Sequence, residues 1–173
     1  MTNIGFSTKY PLSREELFSF DTRLERMSWL EEQLPKSDFY FVQGAPYTTH
    51  LFKETIRCFV NAQFLAAIAL GFSVIEHSLA ARFCEVGQDL KQVSAVKLLD
   101  KAKALGWLTD QDHKQLNEAR EFRNPVIHFR NKPDPSRHDI RAMKSGKDAY
   151  HELEVDAKHV LCAAIRVLEM TSI

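Results

Sequence analysis

The chain carries almost no strand signal, no internal repeat and no low-complexity stretch, which leaves helices as the material of the fold. It also lacks net charge: 23 Lys and Arg balance 23 Asp and Glu. A global basic signature for nucleic acid is therefore excluded, and any such contact must be local. With 45% hydrophobic and 27% charged residues, the chain is not intrinsically disordered. Only three cysteines occur, Cys58, Cys84 and Cys162, far apart and without a C-x-x-C pair. Their apolar neighbours mark them as reduced core residues of a cytoplasmic protein. None of the seven histidines forms an H-x3-H or H-E-x-x-H pair, so neither metal nor other cofactor is expected. A Gly-rich phosphate loop is missing, as is a Ser or Cys nucleophile with an evident partner, which removes support for a kinase, an NTPase or a triad hydrolase.

Long apolar runs are equally scarce. Residues 1–10 are polar and show no signal peptide. The uncharged run from Cys58 to Ile75 has the length of a short membrane span, but Asn61, Gln63 and Ser73 interrupt it, and a buried helix of a soluble bundle fits it better than a membrane. At 173 residues the chain suits one domain.

What is present is helical periodicity. Ser13 and Glu16 have the capping-box form and open a stripe of Leu17, Phe20, Leu24, Met27, Leu30 and Leu34, expected as one amphipathic helix facing the core and closed by Pro35. Phe39 to Val42 reads as a short extended or loop segment covering the core. Thr49 to Glu85 reads as a long helix with few breaks, and Gly71 within it costs about 1 kcal/mol against Ala, so a neighbouring helix should approach closely there. A further helix, Val93 to Leu105, ends at Gly106 as C′ residue, and Thr109 caps the next, with Asp110 and Asp112 in its first turn. A polar loop with a turn of helix near Ile140 to Met143 precedes a last helix, Glu152 to Met170. The expected fold is an all-α bundle of about five helices. Residues 1–47 form an N-terminal helix and loop extension, and 48–173 form the bundle core.

The densest chemistry lies in Arg123-Asn124-Pro125-Val126-Ile127-His128. Proline disfavours helix at the preceding residue, so a helix break is expected there, with Asn124 as N-cap, Pro125 at N1 and His128 at N4 of a new short helix. Arg123 at N′ would then meet His128 across the helix start, beside unpaired backbone N–H groups that favour an anion. Arg supplies a fork for phosphate oxygens and His a proton donor or acceptor near neutral pH. The alternative is that Arg123 pairs with Glu121 or Glu118 and His128 packs under the bundle. From Phe122 to Lys147 seven bases (Arg123, Arg130, Lys132, Arg137, Arg141, Lys144, Lys147) face two acids (Asp134, Asp139), a local field that would draw a polyanion.

This arrangement resembles the HEPN superfamily, helical bundles with an R-x4-6-H motif that often has Asn after the Arg. The likeness covers about Thr49 to the end: a long apolar helix holding Glu76, then Leu98-Leu99 through Gly106, a helix running into Arg123-Asn124, and a closing helix with Asp156-Ala157. The resemblance implies metal-independent endoribonuclease activity through attack of the ribose 2′-hydroxyl, in a defence, toxin or stress context. It further implies a homodimer that joins two motifs in one cleft, and possible control by an antitoxin or partner protein. His128 would be the acid or base, Arg123 the phosphate clamp and Asn124 its positioner. Arg130, Lys132 and Glu76 would bind substrate, and Glu76 on the long helix could also reach Arg123 as a salt-bridge partner. Arg130 stands where some relatives carry a modifiable Tyr, so that control route does not carry over. Since not every HEPN-like protein is catalytic, an RNA- or nucleotide-binding module and a purely structural dimer are the other readings.

Overall fold

In a computed structural model, residues 19–34, 45–88, 90, 93–128 and 134–171 are described. Among them are seven helices and no strand: α1 (Phe20–Gln33), α2 (Ala45–Val60), α3 (Phe64–Glu85), α4 (Ala95–Ala104), α5 (Asp110–Ile127), α6 (His138–Ser145) and α7 (Ala149–Thr171). The protein is an all-α bundle. Its centre is α3, which packs most extensively on α7 and α2 and also against α4 and α5. Phe64, Ile68, Phe72, Ile75, Leu79 and Phe83 of α3 are buried, with Val160, Leu161, Ala164 and Leu168 of α7. Although α3 is long and apolar enough to cross a membrane, half of that stretch is buried within the bundle.

Gly71 is the closest approach of α3 to its neighbours. A Cβ there would stand 2.9 Å from Val160 Cγ1 and 3.3 Å from Thr55 Cγ2, so only glycine lets α7 and α2 pack at this distance. The expected close approach is thus present.

The expected long helix from Thr49 to Glu85 is two helices. After Val60 the chain turns through Asn61, Ala62 and Gln63, with Ala62 in the left-handed region at φ 59°. Ala62 N–H bonds Phe59 O at 3.0 Å and Gln63 N–H bonds Cys58 O at 2.8 Å, the pairing of a Schellman stop. Tyr150 Oη donates to the Ala62 carbonyl, holding the turn against α7.

The first helix also differs from expectation. Ser13 to Glu16 lie outside the described residues, but Ser19 is extended and its hydroxyl accepts from Thr22 N–H, so α1 starts at Phe20 rather than continuing from Ser13. Of the expected core stripe, Phe20, Leu24 and Met27 are exposed, Leu30 is buried, and Leu17 lies outside the described residues. Helix α1 docks instead through Arg26, whose guanidinium sits 5.2 Å over the Phe64 ring and 3.7 Å from Glu154, and through Trp29 against Phe59. The cysteines depart from the core reading too, since Cys84 is exposed and Cys58 and Cys162 are only half-buried. Phe39 to Val42 lie outside the described residues.

Candidate functional site

Helix α5 starts as its sequence dictates. Thr109 Oγ1 accepts from Asp112 N–H at 3.1 Å, and Asp112 Oδ2 accepts from Thr109 N–H at 3.1 Å, a reciprocal capping box. Arg166 of α7 donates to Asp112 Oδ1 at 3.0 Å and fixes the start of the helix to the bundle. Burial pushes the Asp112 carboxyl up, but the hydrogen bonds from Thr109 and Arg166 outweigh it and hold the group below the usual carboxylate range.

From this anchor α5 runs unbroken through Pro125 to Ile127, and the expected helix break at Asn124-Pro125 does not occur. Pro125 cannot donate to the Glu121 carbonyl, and since α5 ends at Ile127, two residues later, any bend it imposes redirects only that last stretch. Glu121 is exposed, which leaves its carbonyl open to water. Asn124 is therefore no N-cap, and His128 is the C-cap rather than N4, its N–H bonded to Asn124 O at 2.9 Å. The end of α5 presents carbonyls and the negative pole of the helix, so a phosphate would be attracted here by side chains alone.

Arg123 faces inward onto α3. Its Nη2 lies 3.3 Å from Glu76 Oε2, its Cζ lies 5.2 Å from the centre of the Phe72 ring, and 19% of its side chain stays exposed. Glu76 and Phe72 are four residues apart on α3, so one face supplies both the carboxylate and the aromatic platform. The Asn124 amide donates to Arg120 O at 3.3 Å and accepts from Arg120 Nη1 at 3.1 Å, which pairs both of its ends. His128 is exposed and has no side-chain partner among the described residues. His128 has left helical geometry, at φ −117° and ψ 124°, and stands exposed at the end of α5, while Arg123 is turned onto α3.

Neither family models, curated proteins nor solved structures give a match to this chain. Its function rests on its own residues.

The basic segment is less free than its sequence suggests. Arg137 pairs with Asp139 at 2.5 Å, and Arg141 reaches into the bundle to Asp156, 4.0 Å from Glu152 and 5.1 Å over the Phe122 ring. Lys144 and Lys147 are exposed without an ion-pair partner among the described residues. Arg130 and Lys132 lie outside the described residues. Asp156 is the most confined acid of this group: its side chain is 4% exposed, Oδ2 takes the Arg141 bond and Oδ1 has no hydrogen-bond partner among the described residues. Burial pushes its carboxyl above the usual range despite the opposing pull of Arg141.

Sequence reasoning missed three residues here: Phe72 and Arg120 around Arg123 and Asn124, and Tyr47 against the adjoining His77. Helical spacing carried a signal for two of them, since Phe72 precedes Glu76 by four residues and Arg120 precedes Arg123 by three. Tyr47 carried none; its ring meets His77, the neighbour of Glu76, edge-on at 5.1 Å from an adjacent helix.

Proposed function

We propose that this protein is a metal-independent endoribonuclease of the HEPN type, working as a cytoplasmic homodimer. The observation that supports this reading is the placement, at the end of one helix of an all-α bundle, of a held arginine and of an exposed histidine without a side-chain partner among the described residues, in an R-N-x3-H string. Arg123 is turned onto Glu76 and Phe72 while His128 stands exposed at the end of α5, and one copy offers a single such imidazole where the chemistry uses two. A second copy, its α5 end facing the first, supplies the missing half, so that Arg123 of one protomer neutralises the phosphate beside a His128 from each. One imidazole takes the proton of the ribose 2′-hydroxyl as its oxygen attacks phosphorus. The other gives a proton to the departing 5′-oxygen. The products end in a 2′,3′-cyclic phosphate and a 5′-hydroxyl. An RNA with a single 2′-deoxy residue at the cut site tests this chemistry, since it should resist cleavage there while the all-ribose strand is cut.

The contacts of Arg123 also favour a second reading, in which it is a structural clamp between α5 and α3. Its guanidinium is engaged by Glu76 and by the face of Phe72. In that reading Arg123→Ala lowers stability and no RNA is cut by the intact protein.

A further inference from the structure

Beside the Arg123–Glu76 pair lies a cavity of about 180 Å³. Its lining comes from three places: Glu76, His77 and Ala80 of α3, Leu98 of α4, and Leu90 and Val93 from the segment between those helices. Four of these side chains are aliphatic, while Glu76 and His77 bring the polar atoms. The cavity and the arginine therefore share one carboxylate: Oε2 of Glu76 goes to Arg123 at 3.3 Å, and Oε1 has no partner among the described residues. His77 is exposed, and Tyr47 packs edge-on against its ring at an interplanar angle of 61°.

These features define the ligand. The volume lies below the roughly 300–1,000 Å³ of sites for drug-sized molecules, so it admits one ring system and not a whole nucleotide. Aliphatic walls accept a flat, largely apolar body. A carboxylate only accepts hydrogen bonds, so the edge that meets Glu76 must donate them. An imidazole is among the side chains on which unstacked RNA bases rest. A nucleobase meets all of these requirements, and guanine meets them best, because its Watson–Crick edge offers adjacent N–H donors.

We propose that this cavity is a nucleobase subsite that receives a guanine of the RNA whose phosphate lies on Arg123. The inference rests on the nuclease reading for its substrate, and it adds what that reading leaves open, the base next to the cut. Glu76 then has two tasks, holding the Arg123 guanidinium through one oxygen and reading the base edge through the other.

The test uses the full chain and the four nucleoside 5′-monophosphates, with binding followed by titration calorimetry and RNA cut positions mapped in parallel. Wild type should bind guanosine monophosphate most tightly and cut next to guanine. Ala80→Phe fills the cavity and should weaken that binding about tenfold or more, the scale of losing one stacked base. Glu76→Gln, which replaces an acceptor by an amide, should level the four affinities and serves as the deciding variant if Ala80→Phe does not fold. Equal binding of all four by wild type, no saturable binding at millimolar nucleotide, or a preference that survives both substitutions would overturn the subsite. RNA cutting with no base preference would overturn the subsite and leave the nuclease reading standing. Guanosine monophosphate binding that is lost in Ala80→Phe, with no RNA cut by wild type, would do the reverse.

Discussion

Arg123 Nη2 and Glu76 Oε2 meet at 3.3 Å, joining the last turns of α5 to the middle of α3 across 47 residues of sequence. Both side chains keep some exposure, at 19% and 30%, so the pair is screened but not fully hydrated. Its energetic weight is modest for a tertiary ion pair, and its geometric weight is larger, since it sets the direction of the one arginine of the motif.

A double-mutant cycle on Arg123→Ala and Glu76→Ala measures that link. Denaturant unfolding should give a coupling of about 1 kcal/mol, at the upper end for exposed pairs. A coupling near zero would mean that Glu76 does not hold Arg123 in solution.

Gly71→Ala should destabilise the protein even though alanine gains about 1 kcal/mol in helix propensity. The new methyl would meet Val160 Cγ1 at 2.9 Å, and Val160 is a fully buried, β-branched residue with little freedom to turn away. A net loss of about 1–2 kcal/mol is expected from overpacking, read from thermal or denaturant unfolding. A gain in stability would show that α3 and α7 pack less closely than described.

Arg141→Ala should be costly at neutral pH, by about 3 kcal/mol, because it leaves the Asp156 carboxylate buried without its cation. The sign of the pH dependence follows from the raised pKa of Asp156. A carboxyl whose folded pKa lies above its unfolded value binds its proton more tightly when folded, so its penalty is present above the folded pKa and disappears as pH falls below the unfolded value of about 4. Removing Arg141 raises the folded pKa further. The stability gap between wild type and Arg141→Ala should therefore narrow as pH is lowered from 7 toward 4; a gap that widens would place the Asp156 charge elsewhere.

The features legible in the sequence are those fixed within a few residues. Thr109 is legible as an N-cap with Asp110 and Asp112 in the first turn, which the structure completes as a capping box, and Gly106, at φ 73°, ends α4 where a C′ glycine should. Gly71 signalled a close approach because glycine in a helix interior costs stability unless packing uses the missing side chain. Legibility failed where distant atoms decide. Ala62 adopts a conformation that usually calls for glycine, and the Tyr150 hydroxyl that supports it lies 88 residues away. Arg26 is buried because Glu154 and Phe64 receive it, while Phe20, Leu24 and Met27 turn outward, a choice that periodicity does not make. Pro125 misled through a general rule. Proline costs one backbone bond and crowds one carbonyl anywhere in a helix, but α5 has only two residues left to redirect after Pro125. Glu76 was legible as one candidate partner of Arg123 from its place on the long helix, beside the nearer Glu118 and Glu121, and the packing of α5 on α3 is what selects it.

Cleavage of RNA in EDTA by wild type and by His128→Ala is the most direct test of the nuclease account. His128 is exposed and makes no side-chain contact among the described residues, so its replacement should leave the folded state intact and report on chemistry alone. The account predicts that wild type cuts RNA in the presence of the chelator and that His128→Ala loses about 10²-fold or more of the rate at unchanged melting temperature. Equal cutting by the two proteins, or cutting by wild type that stops when EDTA is added, would contradict it.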